Sequence, residues 1–225
     1  MNGRISIIVP VLGEAASIAT TLASLRPWRE AGHELIVVDG GSTDATVVLA
    51  RPWADAVIDA PRGRARQMNA GAARAQGDAL LFLHADTRLP AGAITAVHHA
   101  LAAGALWGRF DVEIDGRSPW LPVVAWFMNR RSRWTGIATG DQAMFVQRSA
   151  FEVAGGFPDQ PLMEDVELSH RLRRQGPPAC LSLRAVTSGR RWDERGALRT
   201  IVLMWRLRLL YSLGAPAQRL ARLYR

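Results

Sequence analysis

The sequence contains no lysine: all 28 basic side chains are arginine, against 20 acids, for a net charge of +8. An excess of that size suits a phosphate-bearing partner, whether nucleotide, nucleic acid or anionic lipid, and arginine favours planar, bidentate contacts with phosphate. A uniform arginine bias also reflects composition as much as selection for charge. Cysteine is nearly absent too. The single Cys180 excludes an internal disulfide and a cysteine-based metal cluster. No apolar run approaches the roughly 20 residues that a spanning helix needs.

What is present describes an ordinary globular chain. With 225 residues, 48% hydrophobic and 21% charged, one generous domain is expected. The apolar stretch from Ile5 to Leu12 is short, carries Pro10 and lacks a small-residue cleavage site. It reads as a first strand and not as a signal peptide, so the expected location is cytoplasmic. There is no internal repeat, linker or low-complexity tract.

Hydrophobic periodicity then organises the chain. Buried strands are predicted over Arg4–Val9, Glu34–Val38, Asp55–Asp59 and Ala79–Leu83. Helices are predicted over Glu14–Leu25 with Pro27 as a stop, over Ala45–Ala50 capped by Ser42 or Thr43, over Gly63–Gln76 and over Ala91–Ala103. Strands alternating with helices argue an α/β fold with a doubly wound, mostly parallel sheet. From Ala105 the texture changes: a longer strand to Ile114, an aromatic amphipathic stretch over Pro119–Met128, the cluster Arg130, Arg131 and Arg133, a strand over Ala143–Gln147 and a short helix over Arg148–Ala154. A helix over Glu164–Gln175, a strand over Cys180–Val186 and a C-terminal amphipathic helix over Leu198–Leu213 complete the pattern.

The chemistry-bearing residues fall at the ends of these elements. Glu164 and Asp165 head a basic amphipathic helix, where the helix N-terminus keeps a carboxylate ionised and fit to act as a base; simple capping is the plain alternative. Asp39 ends the second strand, followed by Gly40 and Gly41, and can accept from a base N–H while the glycines let the backbone come close. Asp86 ends the fourth strand. Acids at successive strand ends converge on one crevice of an open α/β sheet.

Taken together, Ile7-Ile8-Val9-Pro10-Val11-Leu12-Gly13-Glu14, Val37-Val38-Asp39-Gly40-Gly41-Ser42-Thr43-Asp44, Leu83-His84-Ala85-Asp86-Thr87 and Met163-Glu164-Asp165 resemble the inverting family 2 glycosyltransferases of the GT-A, Rossmann-like fold, in order as well as wording. The likeness runs from Ile5 to about Trp192 and is nearest to short single-domain bacterial members. It implies a catalytic domain over residues 1–194, with a nucleotide-sugar half to about 104 and an acceptor half beyond, and a helical extension over 195–225 packed on the same domain. The resemblance implies nucleotide contacts by Pro10, Val11, Glu14, Asp39 and Ala85, with Arg66 and Asn69 beside them and Arg62 and Arg64 as further cations. It implies a Mn²⁺ or Mg²⁺ ion at Asp86, Asp165 as general base with Glu164 beside it, and an acceptor side formed by Asp141, Gln142, Arg191 and Trp192. Three departures stand out: Gly13 occupies a common asparagine position, His84 replaces the first aspartate of the family's Asp-X-Asp motif, and Ser188 replaces the glutamine of the Gln-X-X-Arg-Trp motif of processive members. The last argues against polymer synthesis.

The partners so implied are a UDP- or GDP-linked sugar and a hydroxyl acceptor, small or lipid-linked. Residues Leu198–Leu213 and Trp120–Phe127 could also lie on the inner face of a membrane, or pair two copies as a homodimer. No nucleic-acid partner is expected. Two other functions compete. A nucleotidyltransferase forming a nucleotide-sugar would carry a glycine-rich basic signature after the first strand, where Pro10-Val11-Leu12-Gly13-Glu14 stands instead. A non-enzymatic basic protein binding nucleic acid or membrane would explain the charge alone.

Overall fold

Strands that are buried on both faces send successive side chains into opposite layers. The computed structural model describes residues 3–224. In chain order the first half contains β1 (Ile5–Val11), α1 (Ile18–Ser24), α2 (Arg26–Glu30), β2 (Glu34–Asp39), α3 (Thr46–Ala50), β3 (Ala56–Asp59), α4 (Arg64–Arg74), β4 (Ala79–Phe82), a two-residue β5 (Thr87–Arg88) and α5 (Ala93–Ala102). Ile5, Ile7, Val9 and Val11 of β1 meet Ile18, Leu22 and Val97 on one side of the sheet. Ile8, Ile36, Val38 and Phe82 meet Met68 and Ala72 of α4 on the other. Helices cover both faces, which is why these strands read as unbroken apolar runs.

The second half contains β6 (Trp107–Asp115), α6 (Leu121–Thr135), a 3₁₀ turn over Gly140–Gln142, β7 (Met144–Gln147), α7 (Arg148–Val153), α8 (Glu164–Arg173), β8 (Ala179–Ser188), α9 (Arg190–Arg195), α10 (Ala197–Ser212) and α11 (Ala217–Tyr224). Among the described residues there is one eight-stranded sheet in the order β3-β2-β1-β4-β7-β6-β8-β5. The first four strands are parallel; β7 then enters antiparallel to both β4 and β6, and β6 runs parallel to β8. The sheet is therefore α/β, mostly parallel, with its direction changing beside β4.

Several boundaries differ from expectation for identifiable reasons. The helix predicted from Glu14 begins only at Ile18, because the preceding loop is tied to the next one: the amides of Gly13, Glu14 and Ala15 donate to Ser42, Thr46 and Asp44. Pro27 does not simply stop a helix; it sits in the first turn of α2, where its missing N–H costs nothing. Neither Ser42 nor Thr43 caps α3. Asp44 does that work, accepting from the backbone and hydroxyl of Thr46. The aromatic stretch and the arginine cluster form a single helix, α6, which ends where Gly136 turns left-handed at φ 64°. Asn129 anchors that helix by exchanging two hydrogen bonds with the backbone of Val112. The C-terminal region holds two further helices, α9 and α11, that the periodicity did not separate.

Helix α4 comes close to the sheet at Gly71. A Cβ there would lie 2.4 Å from Ile8 Cγ2 and 3.0 Å from Val38 Cγ2. Gly71→Ala should therefore destabilise the fold by about 1–3 kcal/mol through overpacking, despite alanine's better helix propensity. A urea unfolding midpoint equal to or above that of the native chain would contradict this packing.

Candidate active site

At the C-terminal ends of β1 and β4 lies a crevice of about 360 Å³. Pro10, Val11 and Glu14 form its β1 wall; His84, Ala85 and Asp86 form its β4 wall; Arg62, Arg64 and Gln67 enter from the start of α4, and Glu164 from α8. A crevice at this end of an open parallel sheet is where the topology collects strand-end side chains. Gly13 holds φ at +68°, in the left-handed region that glycine and asparagine tolerate best, which gives a backbone reason for the exchange noted above.

The acid pair is held with care. Glu164 is buried, and burial, followed by the charge of Asp165, pushes its carboxyl up to about 7. Asp165 is half-buried; its Oδ2 accepts from the Gly140 amide at 2.8 Å and its Oδ1 from the Val166 amide at 2.7 Å. Glu164, Asp165 and Glu167 all occupy the first turn of α8, where the helix dipole favours them. Ala143 and Met163 are the non-glycine residues with positive φ among the described residues, at 46° and 65°. Each adjoins one of the two segments that meet here, so local backbone strain is concentrated beside the acids.

Between crevice and acids stands His84. Its Nδ1 lies 3.3 Å from Asp141, and a Cβ on Gly140 would fall 2.4 Å from its Nε2. Burial works against ionisation of Asp141, yet the hydrogen bond and charge of His84, with Arg64 and Arg191 beyond, hold its carboxyl below the ordinary value. His84 is thus turned to Asp141 on one side and walled by Gly140 on the other. That arrangement leaves Asp86 as a crevice carboxylate without a committed partner. Its carboxylate has only a long 3.5 Å contact with the Thr87 hydroxyl and no ion pair among the described residues. Among the described residues no cluster of three or more His, Cys, Asp or Glu could hold a metal by itself. One free carboxylate beside a phosphate-sized crevice fits a hard divalent ion that takes its remaining oxygens from a diphosphate and water.

Other expected contacts lie elsewhere. Asp39 is buried, with its carboxylate accepting from the amides of Gly41 and Ser42 and from the Ser42 hydroxyl, so it closes its own turn instead of standing free in the crevice. Arg66 points away and makes a bidentate pair with Asp159 at 2.7 and 3.0 Å; Arg62 and Arg64 supply the crevice cations. Asn69 bridges to the backbone of Phe157 through two hydrogen bonds and secures the Gly155–Gly156 loop. Gln142 is fully buried, with its side chain spent on Thr139 and Asn129, so it shapes the loop that carries Asp141 and faces no acceptor. Trp192 is half-buried against the cluster that holds Val112, Leu121 and Val124, so part of its ring is spent on packing.

Three contributors were missed. Gln67 donates from Nε2 to the carbonyls of Val11 and Val38, clamping the ends of β1 and β2 beneath the crevice. Tyr224, near the end of α11, lines the crevice and receives the Arg191 guanidinium over its ring at 3.8 Å. Arg208 of α10 is largely enclosed near Asp165. The first signal available was the helical spacing of Gln67 from Arg64, one turn away on α4; the other two arise from long-range packing.

Comparison with known proteins agrees with this geometry. The chain is similar to a probable glycosyltransferase, YdaM, of Bacillus subtilis, at 25% identity over 94% of this chain and 55% of that protein, so it spans about half the length of that relative. In three dimensions it is similar to glucosyl-3-phosphoglycerate synthase of Mycobacterium tuberculosis solved with Mn²⁺, UDP and phosphoglyceric acid, with a TM-score of 0.64 and 21% identity, covering 95% of this chain and 80% of that one. It is likewise similar to the mannosyltransferase PcManGT of Pyrobaculum calidifontis solved with GDP-Man and Mn²⁺, with a TM-score of 0.61 and 23% identity over 82% and 56% of the two chains. These likenesses establish the fold as GT-A. The profile described as "Glycosyl transferase family 2" matches residues 6–153, about two thirds of the sequence, and the chain belongs to that family.

Proposed function

We propose that this protein moves a sugar from a nucleoside-diphosphate donor to an acceptor hydroxyl with inversion at the anomeric carbon, with Asp165 as the general base. The observation that carries the reading is a crevice that joins Asp86, Arg62 and Arg64, none of them ion-paired among the described residues, to a small adjoining pocket where Arg64, His84 and Glu164 meet an Asp165 oriented by the Gly140 amide. Both relatives solved with UDP or GDP-Man also contain Mn²⁺, which supports a donor of this kind here.

The chemistry needs one base. As the acceptor oxygen attacks the anomeric carbon, its proton passes to Asp165 and the bond from that carbon to the diphosphate oxygen breaks, taking its electron pair with the diphosphate. Arg62 and Arg64 stabilise the negative charge that develops. A divalent ion held by Asp86 would supply further charge neutralisation on the diphosphate. No general acid is required, unlike glycoside hydrolysis, because the diphosphate already leaves readily. Glu164, carrying its proton over much of the neutral range, keeps a second negative charge away from the base. The nucleotidyltransferase and non-enzymatic alternatives lose ground to the family assignment.

A peripheral membrane contact is favoured by a separate observation. α6 exposes Trp120, Val123, Trp126, Phe127 and Trp134, and α10 exposes Leu198, Val202, Trp205, Leu209 and Leu213 at helical spacing. Neither helix contains an acidic residue, and both carry arginines, so an anionic lipid surface matches them in charge and polarity. No helix among the described residues is long and apolar enough to cross a membrane.

Three outcomes test these readings. UDP or GDP with Mn²⁺ should raise the melting temperature, and Asp86→Ala should abolish the metal-dependent part; Asp165→Asn should keep the nucleotide response while turnover falls about 10²–10⁴-fold. NMR of the product should find the opposite anomeric configuration to the donor, and retention would exclude the single displacement. The Glu164 carboxyl is raised in the folded state, so its stabilising effect is present below about pH 4.5 and lost as pH rises to about 7. Glu164→Gln should accordingly raise the melting temperature by roughly 2–6 °C at pH 8 and by much less at pH 5. For the membrane contact, phosphatidylglycerol vesicles should float the native protein at low salt and float Trp205→Glu less; a protein left wholly in the aqueous phase would exclude it.

A further inference from the structure

A second cavity has no part in the donor chemistry above. About 740 Å³ lies between α6, α8, α10 and the turn before α11, with Arg131, His170 and Arg208 among its polar walls. Both guanidiniums face this space, and neither makes an ion pair or a hydrogen bond among the described residues. Nη2 of Arg131 is wholly enclosed and without a partner. Glu167 is the one acid in the wall, and it is already committed to Arg171 at 3.1 Å.

Two enclosed, unpaired cations carry a desolvation cost that nothing in the chain offsets fully. Burial, with the repulsion of Arg208 added, pushes Arg131 down to about 9, and burial lowers Arg208 as well. The carboxylate that both sense is Asp165; Asp141 acts on Arg208 as well, and Arg109 adds positive charge at Arg131, so the cations still outnumber the acids. An anion arriving in the cavity would restore the balance, and the planar forks of two arginines suit phosphate or carboxylate oxygens. The remaining wall, including Val166, Leu209 and Pro216, is largely apolar and can cover the body of such a ligand.

We propose that this cavity is an acceptor subsite for an anionic group, a phosphate or carboxylate clamped by Arg131 and Arg208, which sets the acceptor's hydroxyl against Asp165. The acceptor part of this assignment rests on Asp165 being the transferase base; the anion site does not. Leu209 belongs both to the cavity wall and to the exposed apolar stripe of α10, so the anion can be a lipid headgroup entering from a membrane or the phosphate of a free metabolite.

The test uses the full chain, with inorganic phosphate and glycerol 1-phosphate as probes, glycerol as the uncharged control, and UDP with Mn²⁺ titrated in parallel. Both phosphates should bind and glycerol should not. Arg131→Gln and Arg208→Gln should each weaken phosphate binding about tenfold or more, leaving the UDP response unchanged, whereas Arg219→Gln on the exposed side of α11 should have no effect. Should a glutamine variant fail to fold, Arg208→Lys keeps the charge, loses the fork and should bind phosphate with intermediate strength. No phosphate binding at about 10 mM by a protein that binds UDP overturns the subsite and spares the transferase reading. Equal loss in Arg219→Gln also overturns it, since the attraction would then be diffuse. Phosphate binding without any nucleotide response would retain the anion site and remove the transferase reading instead. Phosphatidic acid vesicles that displace bound phosphate identify the lipid source; glycerol 1-phosphate displacing it where such vesicles do not identifies the free one.

Discussion

Two carboxylates forced into one partly buried helical turn are the constraint around which the active half of this protein is arranged. Glu164 and Asp165 are adjacent, so their repulsion cannot be relieved by distance. The chain meets it in three ways: the N-terminus of α8 faces the pair, the Gly140 amide fixes one of them, and Arg64, Arg131 and Arg208 supply opposite charge from three different elements. Burial then separates their roles. The more enclosed Glu164 has its carboxyl raised to about 7, and the more exposed Asp165 is left hydrogen-bonded to the Gly140 and Val166 amides.

Seen from the arginines, the same site divides into spent and unspent charge. Arg109 is completely buried in β6 and joins Arg133 on Asp111, an arrangement that docks α6 to the sheet. Arg66 is taken by Asp159, Arg29 by Asp55 and Arg171 by Glu167. Arg62, Arg64, Arg131 and Arg208 have no such partners among the described residues, and they surround the acids from the donor side and the opposite side. A lysine-free composition therefore does not make the charge uninformative. Whether a given arginine is free depends on which carboxylate the fold delivers to it.

That dependence marks the boundary of what could be read from the sequence. The parallel strands were legible because both of their faces are apolar, and the strand-end acids were legible because the topology brings those ends together. Asp86 lines the crevice at the end of β4, and Glu164 reaches it from the first turn of α8. Asp39 also accepts from the amides of Gly41 and Ser42 within its own turn, contacts that strand-end placement did not reveal. Arg66 and Asn69 share α4 with Arg64 and Gln67, but rotation about the helix sends them to Asp159 and Phe157. One-residue differences of helical phase decide contact, and the sequence period was too short to set that phase.

The C-terminal helices show why acceptor choice is hardest to read. The family match ends at residue 153, yet Asp165, Arg208 and Tyr224 all lie beyond it and all reach the site. Donor recognition reuses a strand-end geometry that the parallel half builds by itself. The proposed acceptor region is instead assembled from α6, α8, α10 and α11, whose mutual placement rests on side chains such as Ile137, Val166, Leu207 and Leu220 packed far apart in sequence. Such a region can change its arginines and cavity shape without disturbing the β1–β4 sheet. An orphaned charge in that region consequently bears more directly on the proposed acceptor than any motif in the first half of the fold, because packing alone gives the chain no reason to enclose it.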